Sequence, residues 1–224
     1  MSEVHVQQAF NRAAAKYQTL CYGANTATLQ QQAAQLLLQQ TLAAHKQPAK
    51  QLLDLGCGSG VHWPKLHTLS KNYLGVDLSP AMIGQARKRY GMPAGTHWLV
   101  GDAQALPLPN SVTDLVFSNL ALQWCPQPEQ VAAELFRVCK PGGRIHVSTL
   151  IQGSLVELKH LQQLGLLTRV NRYPRAAQWQ QALQQAGFQQ VLVEQTQITT
   201  HHDSAANLLR SMKAIGASRV LQCS

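Results

Sequence analysis

Three acidic residues, each at the end of an apolar run and each close to glycine, carry the chemistry that can be read from this chain. They are Asp54 in Leu52-Leu53-Asp54-Leu55-Gly56-Cys57-Gly58-Ser59-Gly60, Asp77 in Gly75-Val76-Asp77-Leu78-Ser79, and Asp102 in Gly101-Asp102-Ala103. Gly56, Gly58 and Gly60 let the backbone turn sharply and approach a ligand without a Cβ in the way. The fingerprint that binds a dinucleotide pyrophosphate is Gly-x-Gly-x-x-Gly, and here the third glycine comes one residue early. A carboxylate just before such a turn repels phosphate, but can hold an ammonium group directly or through water. Asp77 can accept hydrogen bonds from both hydroxyls of a ribose, and Ser79 is already available to cap the helix that starts at Pro80. Asp102 can accept from an adenine amino group. Together these groups suit a cationic, phosphate-free nucleoside and disfavour a nicotinamide dinucleotide.

These positions require a particular scaffold. From Gln51 to Leu150, short apolar runs alternate with longer amphipathic ones, which predicts strands joined by crossover helices into a parallel sheet. Strands are expected at Gln51 to Leu55, Tyr73 to Val76, His97 to Val100, Asp114 to Ser118 and Arg144 to Thr149. Helices are expected near Val61 to Leu69, Pro80 to Tyr90 and Pro128 to Val138. Pro128 suits a first helical turn, and Lys140-Pro141-Gly142-Gly143 turns the chain into the next strand. All three acidic residues then lie at carboxyl ends of parallel strands, where open α/β sheets bind ligands. The fold class expected is α/β and Rossmann-like, with helices on both faces of a mostly parallel sheet. Further helices are expected at Leu29 to Leu42, Ser154 to Leu167, Arg175 to Ala186 and Ser204 to Ile215, with a strand at Gln190 to Thr199.

Composition narrows the partners. The 224 residues fit one domain: a helical lid segment over 1–45, a ligand-binding core over 51–150, a helical insertion over 151–188 and a strand and helix over 189–224. No apolar run approaches the roughly 20 residues of a membrane span, and the N-terminus lacks the apolar stretch of a secretory signal, so a cytoplasmic protein without membrane attachment is expected. The five cysteines are scattered with no Cys-x-x-Cys pair, which implies reduced thiols and no metal. The net charge of +9 favours an acidic partner, yet no dense basic tract marks a nucleic-acid arm. The Gln-rich stretches near Gln30 to Gln40 and Gln178 to Gln190 carry apolar residues at helical spacing and read as surface helices.

Leu52 to Thr149, including Asp114-Leu115-Val116-Phe117-Ser118-Asn119 and Lys140-Pro141-Gly142-Gly143, resembles a class I methyltransferase. A closer resemblance rests on Phe10-Asn11-Arg12-Ala13-Ala14-Ala15-Lys16-Tyr17, Ser118-Asn119-Leu120-Ala121-Leu122-Gln123-Trp124-Cys125, Ser148 to Leu158 and Leu209-Arg210-Ser211-Met212-Lys213-Ala214-Ile215-Gly216-Ala217. These strings are similar to those of the malonyl-acyl-carrier-protein O-methyltransferases of biotin synthesis. The resemblance implies S-adenosylmethionine as methyl donor and S-adenosylhomocysteine as product, with no metal. It places donor contacts at Arg12, Asp54, Gly56, Cys57, Gly58, Gly60, Asp77, Leu78, Met82, Asp102, Ala103, Asn119 and Leu120. It also implies that the acceptor is the free carboxylate of malonyl on acyl carrier protein, or of malonyl coenzyme A.

A carboxylate with a pKa of ~3 to 4 is already ionised at neutral pH, so orienting groups are expected instead of a general base. Arg172 is the residue expected to orient the malonyl group through two parallel hydrogen bonds; a solvated loop arginine is the competing reading. Tyr17 is expected to close the N-terminal segment over the donor, with a buried core tyrosine as the alternative. Gln123, Trp124 and Lys213 complete the expected acceptor pocket, and Lys159, Arg169, Arg172 and Arg175 flank it. The carrier protein is acidic, which complements the positive charge; a monomer is the default expectation. Members of the family continue past the Lys213 to Ala217 string, so the terminal antiparallel strand of the sheet is expected to be missing. Two other readings share the core: a methyltransferase of a quinone or other small molecule, and a shortened copy that binds the donor without turnover.

Overall fold

A computed structural model describes residues 3–23, 28–165, 167 and 170–214. The chain opens with α1 (Glu3–Tyr22) and α2 (Leu29–Ala44), and then alternates strand and helix. The core elements are β1 (Ala49–Leu55), α3 (Trp63–Leu66), β2 (Ser70–Asp77), α4 (Pro80–Tyr90), β3 (Thr96–Val100), β4 (Thr113–Asn119), α5 (Pro128–Val138) and β5 (Cys139–Ser148). After them come α6 (Val156–Gln163), α7 (Ala176–Ala186) and α8 (Ala205–Ala214). The strands form one sheet in the order β3-β2-β1-β4-β5, and every pairing is parallel. The order reverses between β1 and β4, and that switch point opens a crevice at the carboxyl ends of the strands.

Both faces of the sheet are covered. Strand alternation sends Leu52, Tyr73, Leu115 and Phe117 to one face, where they pack with Leu37 and Leu38 of α2, Leu66 of α3 and Ile83 and Ala86 of α4. Leu53, Leu55, Val76 and Val116 point to the other face, against Val131, Leu135 and Val138 of α5 and Trp179 of α7. Burying both faces explains why β1 and β4 read as almost continuous apolar runs. A third, smaller cluster of Leu158, Leu167 and Met212 joins α6 to α8 and reaches Trp124.

Helix boundaries follow local chemistry. Thr28 caps α2 in a capping box with Gln31, and the Ser79 hydroxyl accepts from the Met82 amide while Pro80 opens α4. The helix expected over Val61 to Leu69 is shorter, because residues 57–62 continue the loop; α3 begins beside Pro64 and tightens into a 3₁₀ turn at His67–Leu69. The strand expected from Arg144 begins instead at Cys139, and the Lys140 to Gly143 turn is absorbed as a register shift between Thr113 and Leu115.

One expectation fails. Gln190 to Thr199 forms no strand, and no described strand lies beyond β5 to receive it. Its β-forming residues satisfy a propensity that counts only where a neighbouring edge is within reach. Here Leu192 is 93% exposed, and the side chain of Glu194 accepts instead from Gln40 of α2. The antiparallel strand expected to be missing is likewise absent among the described residues; Ile215 to Ser224 lie outside them, as does Arg169. No described helix is long and apolar enough to cross a membrane.

Candidate active site

The crevice at the strand ends is walled by residues from five segments. The loop after β1 gives Gly56, Cys57, Gly58, Val61 and His62; the end of β2 and start of α4 give Asp77, Leu78 and Met82. The loop after β3 gives Gly101 to Gln104, the end of β4 and its loop give Asn119 to Leu122, Trp124 and Cys125, and α1 closes the top with Val6, Phe10, Tyr17 and Tyr22. Its free volume is about 100 Å³.

Each carboxylate has a distinct environment. Asp77 Oδ2 accepts from the Gly58 amide at 2.8 Å and Oδ1 from the Ser79 amide at 2.8 Å, which fixes the carboxylate at the mouth of the crevice. Burial pushes its pKa up to about 6, against the opposing pull of those two amides. Asp102 Oδ1 accepts from the Gln104 amide at 3.0 Å, which tightens the loop without removing it from the wall. Asp54 differs. It is 1% exposed and does not line the crevice, because period two places it on the face of Leu52 and Tyr73. The Tyr73 hydroxyl donates to Asp54 Oδ2 at 2.6 Å, and burial pushes this carboxyl up to about 7 despite that bond.

The glycine turn has two separate steric demands. Gly56 takes φ +73°, and a Cβ there would lie 2.2 Å from the Cβ of Ala121. Gly60 takes φ +75°, and its Cβ would meet the Trp98 ring at 2.7 Å, so its lack of a side chain serves packing of the loop on β3 instead of ligand contact. The Gly58 amide is spent on Asp77, and Tyr17 lies over that residue.

Aromatic side chains roof the crevice. Phe10 packs edge-on against Trp124 at a centroid distance of 5.5 Å and against Tyr17 at 6.2 Å. Burial raises the Tyr17 hydroxyl well above its ordinary pKa, and burial also pushes His62 down to about 4, so both are uncharged at neutral pH. Helix α1 is anchored by Gln7, which donates to the Leu78 carbonyl, and by Asn11, whose Oδ1 accepts from the Ser79 hydroxyl at 2.6 Å and the Ala81 amide at 3.3 Å.

Of the expected site residues, the crevice gathers Tyr17, Gly56, Cys57, Gly58, Asp77, Leu78, Met82, Asp102, Ala103, Asn119, Leu120 and Trp124. It does not gather Asp54, Gly60, Arg12, Gln123, Arg172 or Lys213. Arg12, Arg172 and Lys213 are exposed, and Gln123 turns back to donate to the Leu120 carbonyl at 2.6 Å. Lys159 and Arg175 line a separate open groove of about 500 Å³ between β5, α6 and α7. Sequence reasoning missed Val6, Phe10, Tyr22, Val61 and His62 as lining residues. Phe10 stood in a quoted string, and helical spacing from Phe10 to Tyr17 was available as a signal; nothing in the sequence pointed to His62.

A family model described as a methyltransferase domain matches residues 53–147. Among solved structures, a chain of the complex between the Haloferax volcanii Trm112 methyltransferase activator and a methyltransferase superposes with a TM-score of 0.64 at 25% identity, over 81% of this chain and 75% of that one. Fold, crevice and matched domain define a class I methyltransferase that depends on S-adenosylmethionine. Curated relatives narrow this. The malonyl-acyl-carrier-protein O-methyltransferase of Serratia marcescens is 36% identical over 218 residues, 97% of this chain and 80% of that protein. The biotin biosynthesis bifunctional protein BioHC of Cellvibrio japonicus is 35% identical over 216 residues, 96% of this chain; the chain spans 41% of its length. The chain belongs to the malonyl-acyl-carrier-protein O-methyltransferase family.

Proposed function

We propose that this chain methylates the free carboxylate of malonyl carried on acyl carrier protein, or on coenzyme A, as an early step towards the pimeloyl chain of biotin. The observation that carries the reading is the chemistry of the crevice wall. Among the described lining residues, burial lowers the His62 pKa to about 4, which makes it a weak base, and the Asp77 carboxylate is positioned by two amides. Such a wall suits a nucleophile that arrives already ionised, as a carboxylate does.

The residues fit the donor. Asp77 keeps acceptor capacity on both oxygens for a pair of hydroxyls, and Asp102 offers a second acceptor one strand away. Gly56 lets the turn pack directly against Ala121 of the crevice wall, where a Cβ would lie 2.2 Å from that side chain. When bound, S-adenosylmethionine supplies a methyl group on a positively charged sulfur. Phe10, Trp124 and Leu122 strip water from the acceptor, and Tyr17 closes the roof above Gly58. Positioning of this kind is worth up to roughly 7 to 11 kcal/mol in favourable cases. Asp54 acts at one remove, as a buried carboxyl beneath the glycine turn whose pKa burial raises to about 7, and a cationic ligand above it favours its ionised form.

Arg172 is proposed to meet the carrier-bound acceptor at the surface instead of inside the crevice, together with Lys159 and Arg175 beside the open groove. The test uses methyl-labelled donor with malonyl carrier protein, malonyl coenzyme A and acetyl carrier protein. Label is expected in the malonyl acceptors and not in the acetyl control. Label in a quinone but in neither malonyl acceptor would overturn the reading, and so would donor binding without transfer to any acceptor.

A further inference from the structure

The guanidinium of Arg137 has all five of its N–H groups engaged. Nε donates to Glu134 Oε1 at 2.7 Å, and one terminal nitrogen donates to Glu134 Oε2 at 2.7 Å and to the Leu106 carbonyl at 2.9 Å. The other donates to the Leu108 carbonyl at 2.7 Å and to Asn110 Oδ1 at 3.0 Å. Glu134 Oε2 in turn accepts from the Leu106 amide at 2.6 Å. The pair therefore grips Leu106 by both of its backbone polar groups, while the Leu106 side chain is buried in one cluster with Val131 and Leu135 of the same helix. The Ser111 amide completes the attachment by donating to the Arg137 carbonyl at 2.9 Å. Neither Glu134 nor Arg137 lines the crevice.

An ion pair that only braced α5 would need none of those loop carbonyls. What they hold is the loop after β3, whose first residues do line the crevice. The Ala105 amide donates to the Asp102 carbonyl at 3.2 Å and the Gln104 amide to Asp102 Oδ1 at 3.0 Å, so residues 102–105 form one tight turn that ends on the gripped Leu106. The loop then folds back on itself. A Cβ at Gly101 would lie 2.8 Å from Pro107, so the residue after the gripped one packs directly on the residue before Asp102. Both ends of the turn thus depend on the same two side chains. No described residue donates to Asp102 Oδ2, which leaves that oxygen for a ligand. We infer that Arg137 and Glu134 are positioning residues that aim Asp102 at the adenine of the donor, and so set how strongly the site selects for the adenine amino group. The inference rests on the reading of Asp102 as the acceptor for that amino group. Hydrogen bonds weaken steeply with misalignment, so a displaced turn loses this selection. It does not empty the crevice, because Asp77 and the glycine turn hold the rest of the nucleoside from other strands.

The experiment is titration calorimetry of the full chain with S-adenosylhomocysteine and with its analogue that carries hydrogen in place of the purine 6-amino group. The parent is expected to bind the amino compound at least about tenfold more tightly, the range of one charge-assisted hydrogen bond. Arg137→Met should weaken S-adenosylhomocysteine until the two ligands differ by less than about threefold, with the analogue itself staying within about threefold of its parental affinity. Glu134→Gln, which keeps one acceptor of the grip, should give a preference between those two values. Asp102→Ala should abolish the preference alone, and adding Arg137→Met to it should remove nothing more. Equal weakening of both ligands in Arg137→Met would overturn the inference, by reducing the pair to a structural brace. A parental preference in that variant would overturn it too, as would one in Glu134→Gln where Arg137→Met does not fold. A parent that binds both ligands alike would refute the adenine reading of Asp102, and one that binds neither would refute the assignment of the crevice.

Discussion

Asp77 joins the glycine turn to the donor site. Its two amide bonds hold it in place whether or not a ligand is present, so Asp77→Asn should preserve the fold while losing the charge that strengthens hydrogen bonds to the donor. Charge-assisted bonds are worth about 1.5–3 kcal/mol each, so donor affinity is expected to fall at least about tenfold in titration calorimetry. Gly56→Ala is expected to be worse, because the added Cβ would lie 2.2 Å from Ala121 on a backbone at φ +73°. Donor binding should be abolished, and thermal denaturation should show a lower Tm. A third expectation concerns pH. Asp54 and Asp77 have pKa values raised by burial to about 7 and about 6, so each binds its proton more tightly in the folded state than in the unfolded chain. Their contribution to stability is complete at low pH and is lost as pH rises through about 6 and then about 7. A cationic donor offsets the cost of ionising these two buried carboxyls. The Tm gain from saturating donor is therefore expected to be larger at high pH than at low pH, as differential scanning fluorimetry can measure.

At the scale of elements, the alternation between Gln51 and Leu150 made the parallel sheet legible, because strands buried on both faces must be apolar throughout and crossover helices must be amphipathic. The carboxyl-end positions of Asp77 and Asp102 followed from that order. The inward orientation of Asp54 did not, since the same sequence admits a side chain above or below the turn, and only the pairing with Tyr73 decides it. Gln190 to Thr199 misled for a related reason: strand propensity is a local property, and pairing is not. The exposed position of Arg172 agrees with the competing reading of a solvated loop arginine, whereas that of Lys213 was unreadable, because motif strings fix neighbours along the chain and not direction in space. The N-terminal segment was legible as helical, but the anchors of α1 were not, as Asn11 and Ser79 lie far apart in sequence. Asn11→Ala removes the acceptor for both Ser79 and the Ala81 amide. It should cost about 1 kcal/mol of stability, and limited proteolysis should release α1 sooner than in the parent.

Over the whole molecule, the +9 charge and the acidic character expected of a carrier protein make encounter dependent on ionic strength. Raising salt is expected to increase KM for malonyl carrier protein several-fold while leaving the dissociation constant of the donor nearly unchanged, because the donor's charged partners lie in a roofed crevice where salt screens little. The central claim is that fold, crevice and family membership together make this chain a carboxyl methyltransferase. The most direct measurement is mass spectrometry of malonyl carrier protein after incubation with the chain and S-adenosylmethionine. The account requires a mass gain of one methyl group in place of one proton, located on the malonyl carboxyl and removed by mild alkaline hydrolysis as an ester is. A methyl group that resists hydrolysis, or that appears on the carrier protein in place of its malonyl group, would contradict it.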